Sequence, residues 1–127
     1  MCMKKLIVTL AVLLAGCTTI QGWIPSFWDD NQSSRIIDVR TRILAIDCSQ
    51  PQTPQVKPIE QDLVWFQEYS RAKGFLQRDV IRLVEPMQDI VAGWVKRGEG
   101  SVAYCELKKR VLEQTSERAA TAVLGRY

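Results

Sequence analysis

The strongest helical pattern in the chain is LQRDVIRLVEPMQDIVAGW, residues 76–94. Its apolar residues recur at steps of three and four, at Leu76, Val80, Leu83, Met87, Ile90, Val91 and Trp94. That spacing places them on one face of an α-helix, so Met87 and Trp94 are expected in a core. Pro86 lies inside the pattern and removes the backbone hydrogen bond to Arg82, which predicts a kink.

A second helical pattern precedes this one. Ser26 can cap a helix, and Asp29 suits its first turn. One apolar stripe follows at Ile36, Val39, Ile43 and Ile46, and an adjacent row at Ile37, Leu44 and Cys48. Cys48 is therefore expected beside the buried face, near the end of this helix.

A proline-rich stretch, residues 49–58, separates the second pattern from a third. Its three prolines predict a loop, with Pro58 as the first residue of the next helix. That helix carries a stripe of Ile59, Leu63 and Phe66, and a second row of Trp65 and Tyr69. Gly74 predicts its end.

The last third of the chain predicts a turn and a final helix. Gly98-Glu99-Gly100 forms the turn, Ser101 caps the helix, and Gly125 ends it after about Leu124. One face carries Cys105, Leu112, Ala119 and Val123, and a neighbouring face carries Tyr104, Leu107 and Val111. We find no period-two strand pattern and no repeat, so the sequence predicts a small all-α bundle of three or four antiparallel helices over residues 26–127.

The N-terminus has the pattern of a targeting segment. Lys4 and Lys5 precede an apolar run, residues 6–14, that is too short to span a bilayer. The run ends in Leu14-Ala15-Gly16-Cys17, which resembles the lipobox of bacterial lipoproteins. The alternatives are a buried N-terminal helix and an ordinary secretory signal cleaved near Ala15.

The lipobox resemblance implies a location. Residues 1–16 would be a cleaved signal peptide, Cys17 would carry palmitate and other acyl chains, and residues 17–25 would form a lipidated tether. In this class an aspartate directly after the acylated cysteine often retains the protein in the inner membrane, and this chain has Thr18 at that position. We therefore expect a lipid anchor at the periplasmic face of the outer membrane.

The cysteine count then predicts a disulfide. Excluding Cys2 and the lipidated Cys17 leaves Cys48 and Cys105, which an oxidising periplasm favours as a bridge. The bridge encloses 58 residues, for which the chain-entropy model gives about 4 kcal/mol of stabilisation. Two buried free thiols are the alternative.

Composition limits the classes of partner. Loss of Lys4 and Lys5 with the signal lowers the formal charge from +3 to +1. The longest basic run is Lys108-Lys109-Arg110, which we interpret as a solvated helix face. Nucleic acid is therefore not an expected partner.

The residues offer little chemistry. With no histidine in the chain, Ser-His-Asp and Cys-His sites and most zinc sites are excluded. Two carboxylates could hydrolyse glycosides, and the candidates are Asp29, Asp30, Asp38 and Glu85. Each of these carboxylates can also be explained by a structural role. We therefore expect that the protein is not an enzyme and has no catalytic residue, metal or cofactor.

The most distinctive local feature is the aromatic cluster Trp23-Ile24-Pro25-Ser26-Phe27-Trp28. Three interpretations remain open. Phe27 and Trp28 could cap the bundle against Trp65 or Trp94. Alternatively, Trp23, Ile24, Phe27 and Trp28 could contact lipid headgroups or a protein partner.

The body of the chain resembles small lipoproteins of tailed-phage and prophage genomes. The resemblance rests on the short tether, the WIPSFWDDNQ opening and a helical body with two cysteines. It includes no functional motif, so no functional residue transfers. We expect a non-enzymatic, lipid-anchored helical module that binds an envelope protein. The alternatives are superinfection exclusion or lysis, and a peptidoglycan-active enzyme.

Lipidation at Cys17 has a direct test. Cells expressing the chain and fed a palmitate analogue should label the wild type, and Cys17→Ser should abolish the label because the acylated thiol is gone. Cys2→Ser serves as the matched control and should keep the label. Label that persists in Cys17→Ser would contradict the lipobox assignment.

Overall fold

The computed structural model describes residues 29–74 and 77–126. Within these ranges the chain forms four α-helices and no strand. In chain order they are α1 (Asp30–Leu44), α2 (Thr53–Ala72), α3 (Arg78–Arg97) and α4 (Val102–Leu124). The predicted small all-α bundle is confirmed.

The four helices close into a ring. α1 packs against α2 and α4, and α3 packs against the same two helices. Short connections join consecutive helices, as expected for antiparallel neighbours in a bundle. The ring has two ends. The Asp29 end holds Asp29, Lys73, Gln77 and Arg126, and the clamp end holds the connections of residues 45–52 and 98–101.

The core lies where the apolar stripes predict it. The buried side chains include Ile36, Val39, Ile43 and Ile46 from the second pattern, Ile59, Leu63 and Phe66 from the third, Val80, Met87, Val91 and Trp94 from the first, and Cys105, Leu112, Ala119 and Val123 from the last. The secondary rows lie at the surface, since Ile37, Leu44, Leu107 and Val111 are exposed. Each helix therefore buries one stripe, as amphipathic helices in bundles do.

The ends of α1 differ from the prediction. Asp29 is itself the N-cap, with extended backbone (φ −138°, ψ 118°), and its Oδ1 accepts from the Gln32 amide at 3.0 Å. The prediction that Asp29 lies in the first turn of a helix capped by Ser26 was therefore wrong. Aspartate is as good an N-cap residue as serine, and Asp29 takes that position itself. Ser26 itself lies outside the described residues. α1 also ends at Leu44, short of Cys48.

The early end of α1 has a local cause. Asp47 Oδ1 accepts hydrogen bonds from the Ser49 amide at 2.9 Å and the Ser49 hydroxyl at 2.6 Å. An aspartate that bonds its own backbone two residues on favours a turn over a continued helix. Cys48 lies within this turn rather than on the helix.

The start of α2 was also predicted wrongly. The helix begins at Thr53 rather than Pro58, with Pro54 in its first turn and Pro58 inside it. Glu99 explains the longer helix, because its carboxylate accepts from the amides of Gln52 and Thr53, each at 2.9 Å. Such a cap comes from a distant turn and leaves no local sequence signal.

Glycines and a serine act at the other helix ends as predicted. Gly74 and Gly98 follow α2 and α3 with positive φ of 102° and 80°. Ser101 caps α4 by accepting from the Tyr104 amide at 3.1 Å, and Gly125 ends that helix. α3 runs through Pro86, and the kink there stays a prediction.

Gln52 joins two loops at the clamp end. Its Oε1 accepts from Trp94 Nε1 at 3.0 Å, and its Nε2 donates to the Gly100 carbonyl at 2.8 Å. Gln52 and Trp94 are only 2% and 1% exposed. Since a buried indole N–H without an acceptor costs about 1–3 kcal/mol, this one side chain fixes the α1–α2 connection against the α3–α4 turn.

The predicted disulfide lies at the same end and is confirmed. Cys48 and Cys105 are bonded, with Cα atoms 5.7 Å apart. Lys109 Nζ adds a hydrogen bond of 2.8 Å to the Ile46 carbonyl. The α1–α2 connection is thus attached to the start of α4 as well as to the α3–α4 turn.

The Glu99 cap predicts acid sensitivity. Hydrogen bonds from the Gln52 and Thr53 amides hold the pKa of the Glu99 carboxyl below its ordinary value of 4.5. Because the folded state favours the carboxylate, this stabilisation is fully present above that ordinary value and is lost as the pH falls through the lowered folded-state pKa. Glu99→Gln should therefore lose less stability than the wild type between pH 6 and pH 3.

Melting temperatures across that pH range would measure the difference. Glu85→Gln is the matched control, because Glu85 is exposed and accepts no hydrogen bond from the described residues. Parallel pH profiles for the wild type and Glu99→Gln would contradict the role of the cap.

Candidate functional site

Most of the predicted contact residues lie outside the described part of the chain. These are Cys17, the predicted lipidation site, and the aromatic cluster residues Trp23, Ile24, Phe27 and Trp28. Lipidation and the three interpretations of the aromatic cluster therefore stay predictions. Cys48 and Cys105 are described, and they serve the fold.

Asp29 is held in a structural network. Its carboxylate accepts from Tyr69 Oη at 3.1 Å and pairs with Lys73 Nζ at 3.1 Å, in addition to capping α1. Burial acts to raise the pKa of Asp29, but the hydrogen bonds from the Gln32 amide, Lys73 and Tyr69 outweigh it, and the pKa is lowered. The general acid of a glycosidase needs a raised pKa, so Asp29 does not suit that role.

The other acidic candidates gain no support from their positions. Asp30, Asp38 and Glu85 are all exposed on helix surfaces. None of the three lies in a buried, apolar pocket of the kind that surrounds a glycosidase acid. The glycosidase alternative therefore rests on composition alone.

A buried polar network that the sequence did not reveal joins all four helices at the Asp29 end. Gln32 of α1 donates through Nε2 to Ser70 Oγ of α2 and to Gln77 Oε1 before α3, each at 3.0 Å. Arg126, after α4, donates to the same Gln77 oxygen at 3.4 Å and pairs with Asp79. The available signal was Gln32, a polar residue four positions before Ile36 on the apolar stripe.

An aromatic row crosses from α1 to α2 on the surface. We call Arg35, Trp65, Tyr69 and Lys73 the Trp65 row. The Trp65 and Tyr69 rings are stacked at 4.8 Å and 9°. Arg35 Cζ lies 4.5 Å from the Trp65 ring, and Lys73 Nζ lies 5.8 Å from the Tyr69 ring. Trp65 is still 37% exposed.

The charges of the Trp65 row are already paired within the domain. Arg35 bonds Asp62 at 2.7 Å, and Asp62 also pairs with Arg42 at 2.9 Å. Lys73 pairs with Asp29, as above. The rings contact each other and the cations contact internal carboxylates, so we interpret the row as a brace between α1 and α2.

A second aromatic surface lies at the clamp end, and its charges are not paired. Arg97 Cζ lies 4.1 Å and Lys108 Nζ 5.5 Å from the Tyr104 ring. Within the described ranges, no carboxylate lies within 4.0 Å of either cation. Two positive charges therefore share one ring without an internal counter-charge.

Apolar side chains continue this surface along α4. Leu107 and Val111 follow Tyr104 by three and seven positions, which places them on the same side of the helix. Leu107 is 55% and Val111 38% exposed. We call Arg97, Tyr104, Leu107, Lys108 and Val111 the Tyr104 face.

The prediction for the basic triplet was correct only for Arg110, which is exposed. Lys108 lies over Tyr104 and is half-buried, and Lys109 reaches the Ile46 carbonyl. Successive residues of a helix point 100° apart, so the three side chains face different neighbours. The signal for Lys108 was Tyr104 four positions earlier.

A cleft beside the disulfide contains mixed charges. Its volume is about 380 Å³, and its lining includes Asp47, Glu106, Lys109, Arg110 and Glu113. The Ser49 hydroxyl and amide lower the pKa of Asp47 through their hydrogen bonds. Lys109 and Glu113 approach to 3.9 Å. Opposite charges alternate in this cleft, and no one ligand chemistry is favoured.

Comparison with known proteins identifies no relative. The chain matches no protein-family model, no curated protein and no solved structure. In residues 29–74 and 77–126, no helix is long and apolar enough to cross a bilayer. The same part of the chain holds no group of three or more metal-binding side chains.

The contrast between the two aromatic surfaces is testable by stability. Trp65→Ala should lower the free energy of unfolding by about 1–2 kcal/mol, because it removes the ring stack on Tyr69 within α2 and the cation–π contact with Arg35 of α1. Arg97→Gln should lower it by less, about 0.5–1 kcal/mol at most, because it removes one exposed cation–π contact and no ion pair. Urea unfolding of the full chain measures both, and a neutral Trp65→Ala would contradict the brace.

Proposed function

We propose that this chain is a non-enzymatic, lipid-anchored helical module that binds an envelope protein from the periplasmic face of the outer membrane. The lipobox supports the anchor, through acyl chains on Cys17. The Tyr104 face supports the binding. The glycosidase alternative has no support from Asp29, whose carboxylate is used in the fold.

The observation that carries the proposal is the difference between the two aromatic surfaces. In the Trp65 row, cations and rings satisfy one another, and both cations have carboxylate partners. In the Tyr104 face, neither cation has a carboxylate within 4.0 Å among the described residues, and two large aliphatic side chains are exposed beside them. Aromatic and arginine side chains next to exposed apolar area are typical of protein-binding surfaces.

The position of the Tyr104 face suits an anchored protein. The proposed tether joins the domain at Asp29, whereas Arg97 and Tyr104 lie at the clamp end of the bundle. The 20 residues of α3 correspond to a length of about 30 Å. A lipid anchor at one end would therefore leave the Tyr104 face accessible at the other, and it would raise the local concentration for a membrane-bound partner.

Site-specific crosslinking tests the binding function in intact cells. A photo-reactive amino acid at Leu107 should give a discrete protein adduct, because this side chain lies within the Tyr104 face. The same amino acid at Val64 of α2, which is 44% exposed, is the control and should give no such adduct. Equal adducts at both positions, or none at Leu107, would contradict the proposal.

A further inference from the structure

We propose that the Tyr104 face binds an acidic amphipathic segment of its partner protein. This inference rests on the proposed function, since it specifies the chemistry of the envelope protein.

The two cations of the Tyr104 face differ from many others of the domain in their ion pairing. Six cations pair with carboxylates, namely Arg35, Arg42, Arg71, Lys73, Lys109 and Arg126. Arg97 and Lys108 are two of eight described cations that do not, and these two also share the ring of Tyr104. Carboxylates of a partner would supply the missing counter-charge and reduce the repulsion between the two cations.

The exposed aliphatic side chains of the Tyr104 face are arranged to suit a helical partner. Tyr104, Leu107 and Val111 form one line along α4, at the spacing by which helical partners present anchors to each other. Lys108 lies beside this line, and Arg97 reaches it from α3. Apolar anchors flanked by carboxylates therefore complement this face better than a uniformly charged ligand does.

The Tyr104 ring is held in place by the core. Its ring packs edge-on against Trp94, with centroids 6.0 Å apart and an angle of 88°. Trp94 is buried and bonded to Gln52. The contacts of Trp94 therefore fix the Tyr104 ring before a partner binds. Less conformational entropy is then lost on binding.

Position separates a protein occupant from a lipid. The Tyr104 face lies at the opposite end of the bundle from Asp29, where the proposed tether joins the domain. An anionic lipid headgroup would also supply negative charge. A lipid anchor at Cys17 would, however, hold the Asp29 end nearer the bilayer than the Tyr104 face, and this favours a protein segment.

Synthetic peptides test the inference on the full chain in detergent micelles. The probe is a fluorescein-labelled amphipathic peptide of about 14 residues, with leucines at i, i+3 and i+7 and glutamates elsewhere. Fluorescence anisotropy should show binding that weakens with added salt. The double variant Arg97→Gln with Lys108→Gln should bind about tenfold more weakly, as expected for the loss of two charge contacts at the surface.

Two controls isolate charge and position. A peptide with glutamine in place of every glutamate should bind about tenfold more weakly to the wild type. Arg82→Gln removes an exposed arginine from the second turn of α3, for which no carboxylate lies within ion-pairing distance in the described chain. This variant should leave peptide binding unchanged.

Several outcomes would overturn the inference. They are equal binding of the glutamate and glutamine peptides, equal loss in Arg82→Gln, and no loss in the double variant. Tighter Arg97-dependent binding to phosphatidylglycerol vesicles than to the peptide would assign the face to lipid. A Leu107 protein adduct in cells that is insensitive to the double variant would retain the proposed function and reject only the acidic chemistry.

Discussion

The buried hydrogen bond between Gln52 and Trp94 fixes the arrangement of the clamp end. It satisfies an indole N–H in the core, and the same glutamine also bonds the α3–α4 turn. Glu99 acts in the reverse direction, capping α2 from that turn. Together with the Cys48–Cys105 bridge, these contacts attach the α1–α2 connection to both α3 and α4. The bundle is closed here by polar and covalent contacts as well as by its apolar core.

The opposite end is closed by different chemistry. Gln32, Ser70 and Gln77 form a buried amide and hydroxyl network, and Asp29 connects the start of α1 to the end of α2. Buried polar groups that are bonded to one another favour a single packing arrangement over alternatives of similar hydrophobic content. The two ends therefore fix the register of four helices whose apolar stripes alone would permit sliding.

The Tyr104 face, by contrast, keeps unused bonding capacity. The carboxylates of Asp29, Asp62 and Glu99 all serve the fold, and the cations of the Trp65 row are paired with the first two. Arg97 and Lys108 lie over the ring of Tyr104, and neither has a carboxylate within 4.0 Å in the described part of the chain. The cations of the Trp65 row are paired internally, and those of the Tyr104 face have no such partner among the described residues. This contrast is the physical argument for the proposed binding at the Tyr104 face.

Local pattern in the sequence was enough for the helices, their buried stripes, the glycine-terminated ends, the Ser101 cap and the Cys48–Cys105 pairing. These features depend on residues a few positions apart or on a simple count of cysteines. Tertiary structure alone decided the start of α2 at Thr53, the partners of Gln52 and the separation of the two aromatic surfaces. The reason is distance along the chain: Glu99 caps an amide 46 residues away, and whether a surface cation is paired depends on which carboxylate the fold brings beside it.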